Sequence, residues 1–576
     1  MTSTILEETK ETKELNLPEW TRVADRKRTE RSKAIAAAAK LSIGKSYPSL
    51  PLPSVSDVRE WPKVSGDLTP RQIQITESIP SCLLQKVSAG VWSAEEVLLA
   101  FVARAVLAHY LTNPITDMFV TESLQRAREL DSHLQRVGKP IGPLHGLLIS
   151  LKDVMNIRGH ATTIGYIALA DSIKEESDEL INQLSTAGAV FYCKTNVPQS
   201  LMSGECANFL HGRTSTPDNR NLSAGGSSGG EGSLVALGGS PLGIGTDIAG
   251  SIRTPANFNG IYGLCPSYGR LPLHSAKYTV PSYLINGVAG PLCRSIDGLE
   301  VYTKAVLSLR PWEWDSFCIP MPWSQDLYNS VKSRSISKDL CFGLVAHDGV
   351  VLPHPPIQRG MREVRTSLQN FGFDVVDVDL FDGTEKMWET AQEIFSSAGS
   401  KPLMDMVSRL PEPLIKDMGL SSPNSASTAP ELLGQCERIF NLRQKFLDKW
   451  RQTRHLTRSG EPVDVFILPS GGHVAPPHSS MEYFLYEAIS NILDWSCTTI
   501  PVGRVDPNLD PATAPTREAN MMSSWDHRNW ESYSLKSYEN GAICLQVLGQ
   551  RLTEEKVLAC LRAIDLALGR REDHVA

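Results

Sequence analysis

The sequence predicts an α/β fold: a mixed, twisted β-sheet flanked by helices and preceded by an N-terminal helical arm. Three observations predict it. Short apolar runs at 146–154 (GLLISLKDV), 189–195 (AVFYCKT) and 242–248 (LGIGTDI) have strand length and end in turn residues, with the helical pattern SDELINQLSTAG (177–188) between the first two. Strands that alternate with helices build βαβ units and a parallel or mixed sheet. Further along, CFGLVAH (341–347) and DVFILPS (464–470) read as buried strands, while PIQRGMREVRTSLQNFG (356–372) and LTEEKVLACLRAIDLAL (552–568) repeat apolar residues at helical spacing. The composition, 41% apolar and 21% charged, is that of an ordinary globular chain.

In chain order, residues 21–41 (TRVADRKRTERSKAIAAAAKL) are good helix formers with little apolar face, which predicts an exposed N-terminal helix. Four prolines from Pro48 to Pro62 then argue for an extended arm that hugs the surface, with the compact body beginning near Thr69. Residues 1–68 are accordingly read as an arm and 69–576 as one large domain. Ser93–Leu111 opens with a serine N-cap and first-turn glutamates, so it is a helix. Between Asn221 and Arg270 stand 13 of the 42 glycines, a density that calls for backbone freedom or close approach to a ligand. Residues 411–430, rich in Ser and Pro, read as a surface insertion, and the course of 505–530 does not follow from pattern.

The net charge is −7, without the basic field that binds a phosphate backbone, so nucleic acid is not an expected partner. The 11 cysteines are scattered without a C-x-x-C pair, which argues against a disulfide framework or zinc ribbon and for free thiols in a reducing compartment. No apolar run is long enough to span a membrane, and the first residues lack a secretory apolar core. The expectation is a cytoplasmic protein; the arm would wrap the body or a second subunit, as in a homodimer.

Two small-residue loops each present serines: Gly225–Gly230 (GGSSGG) and Gly245–Arg253 (GTDIAGSIR). Glycines let backbone N–H groups face a developing oxyanion, and a serine at such a turn is placed to attack a carbonyl. Other readings exist. Ser227 and Ser228 each satisfy G-x-S-x-G, which would require downstream Asp and His partners. A phosphate loop fails, because Gly44-Lys45-Ser46 has Ala39 where its first glycine belongs. A flexible linker is countered by the apolar residues around Thr246-Asp247-Ile248. Lys152 lies inside an apolar strand pattern, where a lysine is rare; it could pair with Asp153, snorkel at a strand end, or serve the serines. His473 and His478 lack further ligand residues and read as loop polar groups rather than a metal site.

Lys152, the run Gly225–Gly232 (GGSSGGEG) and Gly245–Arg253 resemble the amidase signature family, and Ser251 follows Ser227 by 24 positions, as that family's pattern expects. The resemblance extends through Gly142–Gly146 (GPLHG), Thr195–Ser200 (TNVPQS), Gly263–Ser267 (GLCPS) and Trp495 near Pro501, over roughly residues 75–560. The N-terminal arm, Leu144-His145-Gly146 and Ile319–Trp323 (IPMPW) are similar to the fungal acetamidase branch.

The resemblance implies the amidase signature fold for 69–576 and hydrolysis of the C–N bond of a small-molecule carboxylic amide, with neither cofactor nor metal. It implies Ser251 as nucleophile, Ser227 as bridging serine after a cis peptide at Gly226–Ser227, and Lys152 as base. A free lysine is neutral in only roughly one molecule in 2,500 at pH 7, so Lys152 must be desolvated or held by neutral partners. It further implies an oxyanion hole from the N–H groups of Ile248, Ala249, Gly250 and Ser251 and substrate contact by Leu201; Asp247 and Arg253, both within the Gly-rich loop, read as residues that orient it. Ala249 departs from the family's usual glycine; if that position needed a positive φ, alanine would be strained by about 1 kcal/mol, and at a negative φ the change would be nearly silent. A specialised biosynthetic amide or ester hydrolase, or a catalytically weak binding protein, are the other functions this reading leaves open.

Overall fold

In the computed structural model, which describes residues 17–273, 284–382, 386–415, 426–481, 483–513 and 521–570, the apolar runs become strands of one sheet. In chain order they are β1 (Ile115–Met118), β2 (Leu148–Lys152), β3 (Val190–Thr195), the small pair β4 (Ala207–Asn208) and β5 (Gly212–Arg213), then β6 (Gly243–Asp247), β7 (Tyr262–Cys265) and β8 (Val288–Cys293). They continue with β9 (Cys341–Leu344), β10 (Asp374–Asp377), β11 (Val465–Pro469), β12 (Cys497–Arg504) and β13 (Ala542–Leu548). All but β4 and β5 join one sheet in the order β1-β3-β2-β6-β8-β7-β12-β13-β11-β9-β10. The sheet is mixed: β2 runs parallel to β3 and β6, and β8 runs antiparallel to β6 and β7. The five runs expected as strands are β2, β3, β6, β9 and β11, each trimmed at its ends. Every residue of β2 and β6 is buried, which is why they read as nearly unbroken apolar segments.

The helices that matter below are α1 (Glu19–Ile43), α2 (Ala94–Thr112), α3 (Glu179–Thr186), α4 (Gly229–Ala236), α5 (Arg253–Phe258), α6 (Pro355–Phe371), α7 (Ala429–Gln452), α8 (Leu485–Leu493) and α9 (Glu554–Ala567). Ser93 caps α2 as expected, its side chain accepting from the Glu96 N–H. α1 is not the exposed helix its composition suggests. Ala24, Ile35, Ala38 and Ala39 are buried in a seam against the body, where small side chains permit close approach. The basic face is docked as well: Arg28 donates to the carbonyls of Phe209 and Leu210, and Arg31 to that of Ile115. Long stems with polar ends bury more surface than a hydropathy pattern records.

The proline-rich arm does hug the surface, with the Arg220 guanidinium donating to the carbonyls of Leu52, Pro53 and Val55. The 411–430 insertion needs two corrections. Thr428 and Glu431 form a capping box for α7, and Pro430 sits in its first turn, where a missing N–H costs nothing, so the loop ends at Thr428. Its beginning is docked rather than projecting: Glu412 accepts from the Ile167 N–H at 2.8 Å, and the Gln199 carboxamide bonds both Pro413 O and the Ile415 N–H. Residues 1–16, 416–425 and 514–520 lie outside the described residues. Among the described residues no helix is long and apolar enough to cross a membrane.

One feature of the topology prepares the site. β2 and β6 are parallel neighbours, with Ser150 opposite Gly243 and Leu151 opposite Ile244. Their carboxyl ends therefore carry Lys152 and Thr246–Asp247 to the same edge of the sheet, the edge at which open α/β sheets place their ligands.

Candidate active site

Lys152 ends β2 fully buried, and its Nζ donates to Ser227 Oγ at 2.8 Å, to Thr246 Oγ1 at 2.8 Å and to Thr246 O at 3.1 Å. All three acceptors are uncharged. Burial pulls the amine down to about 7, offset only in part by Asp247, Cys206 and Glu231 at a distance. A neutral amine has two N–H donors and one lone pair. Thr246 supplies two acceptors, so the lone pair is left for the Ser227 hydroxyl, and the 2.8 Å contact then runs from Ser227 O–H to nitrogen. Asp153, weighed as a partner for Lys152, instead pairs with Lys194 at 2.7 Å.

The Gly226–Ser227 peptide is cis, as the family pattern implies. Glycine is required before it, because a Cβ at Gly226 would lie 2.4 Å from Ser203 O. Beyond Ser227, the Ser228 N–H donates to Ser251 O at 3.2 Å, which ties the two serine loops together before α4 begins.

The second loop is built around Asp247. Its carboxylate accepts from the N–H groups of Gly250 (2.8 Å) and Ile252 (3.0 Å) and from Arg253 Nε (3.1 Å) and Nη2 (3.0 Å). Burial alone would push this carboxyl up, but the Arg253 guanidinium and the backbone donors hold it below the usual range. Arg253 in turn reaches Asn491 Oδ1 on α8 at 2.7 Å and Gln546 Oε1 on β13 at 2.8 Å. Asp247 and Arg253 thus brace the loop, as their place in the sequence suggested.

The backbone of the loop separates Ala249 from Gly250. Gly250, and not Ala249, takes the left-handed conformation, with φ 106°; a Cβ there would lie 2.3 Å from Glu487 Cβ. Ala249 lies outside the left-handed region, so alanine stands there without strain. The Gly250 N–H, counted among four oxyanion donors, is already committed to Asp247. No hydrogen bond among the described residues engages the amides of Ile248, Ala249 and Ser251.

Ser251 is half-buried and immediately follows Gly250. The structure joins Lys152 and Ser227 by a direct hydrogen bond and brings Ser251 beside them through its backbone. Among the described residues no hydrogen bond links the Ser227 and Ser251 hydroxyls. Leu201 is buried in the apolar core, and it and Ser200 have positive φ values of 66° and 69°. What that segment presses on the serine loop is the Ser203 carbonyl against Gly226.

Sequence reasoning missed three groups here. Thr246 was quoted in its motif without a role. Glu231, in the glycine run, is fully buried beneath Lys152. Glu487, on α8, is buried behind Gly250 with Oε2 unpartnered among the described residues, and burial pushes its carboxyl up to about 8. An acid among glycines was a visible signal for Glu231; for Glu487 there was none, since α8 reaches the loop only through the tertiary fold. His473 bonds the Val474 carbonyl and His478 bonds Glu205, as loop polar groups do. A cavity of about 390 Å³ lined by Tyr262, Arg294, Arg562 and Arg570 lies toward Cys293, at the opposite ends of these strands, and contains none of the residues above.

Comparison with known proteins shows the family. A family model described as Amidase matches residues 96–558. The chain is 36% identical to an acetamidase of Emericella nidulans over 96% of this chain and 98% of that one. It is likewise 36% identical to an acetamidase of Aspergillus oryzae, over 93% and 98% of the two chains. Among solved structures it is similar to a fatty acid amide hydrolase, with a TM-score of 0.86 and 30% identity over 97% of this chain and 99% of that one. A peptide amidase from Stenotrophomonas maltophilia, at TM-score 0.61 and 21% identity over 86% and 98%, shares the fold.

Proposed function

Since the chain belongs to the amidase signature family and is an amidase, we propose that it hydrolyses a carboxylic amide to carboxylate and ammonia or amine through Lys152, Ser227 and Ser251. The observation that carries this reading is the Lys152 amine, buried among neutral acceptors and 2.8 Å from Ser227 Oγ. Ser251 attacks the amide carbonyl while its proton moves through Ser227 to Lys152. The amides of Ile248, Ala249 and Ser251 meet the oxyanion; losing one such donor typically costs about 3 kcal/mol of transition-state stabilisation. Lys152, through Ser227, then protonates the departing nitrogen, and water releases the acid from Ser251. The hydrogen bond between the two serine hydroxyls forms with substrate bound, since catalytic hydrogen bonds often tighten only in the complex.

The names of the two acetamidase relatives support a short aliphatic primary amide, with acetamide as the first probe. The likeness to a fatty acid amide hydrolase, at 30% identity and nearly full coverage, supports a long-chain acyl amide as the second. Ammonia release from a panel running from acetamide to oleamide separates them by kcat/KM. The same assay with Ser251→Ala and Lys152→Ala is expected to show turnover abolished in both; activity surviving Ser251→Ala would overturn the mechanism.

A further inference from the structure

Beneath Lys152 lies a second buried ionisable group that the reaction above does not use. Glu231, in the first turn of α4, is fully buried, and its two oxygens meet Ser150 Oγ and, at 2.8 Å, Thr195 Oγ1. Ser150 stands two residues before Lys152 on β2, hence on the same face, and Thr195 is the register partner of Lys152 on β3. The third wall is Gly243 of β6, opposite Ser150, where a Cβ would sit 2.0 Å from Glu231 Oε2. The carboxyl therefore touches all three strands that fix where Lys152 points.

No cation among the described residues forms an ion pair with Glu231. The charged or titratable groups that face it are Lys152 from β2 and Tyr192 and Cys193 from β3. A carboxylate here would be a buried charge whose nearest cationic group is the lysine that must be neutral to act. As the acid, every proton has a place. Oε2–H donates to Ser150 Oγ, the Ser150 hydroxyl turns to Leu242 O at 3.5 Å, and Thr195 O–H donates to Oε1. Burial pushes the carboxyl up to about 8 against the pull of those hydroxyls and of Lys152.

We propose that Glu231 is a positioning residue that works as the neutral acid, clamping Ser150 and Thr195 beneath Lys152 while withholding the negative charge that would keep the lysine protonated. The proposal rests on Lys152 being the base, and it adds a condition to that role. The amide of glutamine reproduces the donor and acceptor of the neutral acid; it does not reproduce a carboxylate.

The test pairs infrared difference spectroscopy at pH 7, wild type minus E231Q, with pH–rate profiles of both proteins on the best amide of the panel. Expected are a carboxylic-acid C=O band lost in E231Q, kcat/KM within about threefold of wild type, and an acid limb at the same pH. A carboxylate band, an acid limb displaced downward by about half a unit or more, or an E231Q chain that does not fold would each overturn it. E231L, measured per folded molecule, is expected to lower kcat about tenfold with KM little changed; a loss of stability alone, with kcat intact, would remove the positioning role. The infrared band reports on Glu231 whether or not Lys152 proves to be the base, a question that Lys152→Ala answers separately.

Discussion

Two lysines lie buried side by side on neighbouring strands, with Lys194 of β3 opposite Leu151, one residue before Lys152. Lys194 has a carboxylate, Asp153 at 2.7 Å, and adds the Ala161 carbonyl and the Thr162 hydroxyl. Lys152 has a hydroxyl, another hydroxyl and a carbonyl, and no counter-charge. The same side chain in nearly the same place is a strut where a carboxylate is supplied and, in the proposed mechanism, a base where one is withheld. Asp153 could belong to either by sequence; the turn that follows β2 aims it at Lys194.

The sharpest way to break this comparison is to replace each lysine by methionine. K152M is expected to lower kcat/KM by about a thousandfold or more, while costing less stability to urea than K194M, because the partners it leaves are neutral hydroxyls and a carbonyl rather than a buried charge. K194M should do the opposite. Leaving Asp153 buried and uncompensated costs about 3–5 kcal/mol, with kcat per folded molecule retained. Equal destabilisation of the two variants would end the distinction.

The pH dependence sharpens it next. With its amine at about 7, Lys152 gains its lone pair as pH rises, so kcat/KM should climb through an acid limb near pH 7 and then level. Stability carries the same sign. Between about 7 and the ordinary 10.5 the unfolded chain binds the extra proton, so the cost of burying Lys152 is greatest below pH 7 and fades as pH rises toward 10.5. Urea midpoints of wild type minus K152M, followed over this range, should rise with pH; a flat difference would contradict a depressed lysine.

Smaller effects test finer parts of the contrast. T246V removes one of the acceptors that orient the amine and should lower kcat about tenfold, read from initial rates at saturating amide. A249G should change kcat/KM by less than about twofold, because Ala249 lies outside the left-handed region and its amide is unaltered. A large gain on A249G would mean that alanine is strained at 249 after all.

Much of this was legible in the chain, for reasons that differ residue by residue. β2, β3 and β6 are buried on both faces, so their burial is written as continuous apolar runs. The serine loops announce themselves because a Cβ at Gly226 or Gly250 would strike backbone or a neighbouring side chain. α1 misled because its seam is made of alanines and arginine stems, which hydropathy counts as neutral or polar. The bond from the Gly250 amide to Asp247 was not legible because both residues belong to the same motif, and a motif does not say which of its own donors meet its own acceptors. Glu487, Asn491 and Gln546 were invisible because they reach the loop from distant sequence, through α8 and β13.

That last distance orders the life of the chain. Lys152, Ser227 and Ser251 are all made in its first half, yet the Arg253 guanidinium behind Ser251 closes on Asn491 and Gln546, 238 and 293 residues later. β12 and β13 are also the strands that join β7 to β11, so until they arrive the sheet exists as two pieces with open edges. A chain still emerging from the ribosome therefore carries all three groups without the Asn491 and Gln546 anchors of Arg253, and the two pieces of the sheet join only when β12 and β13 are in place.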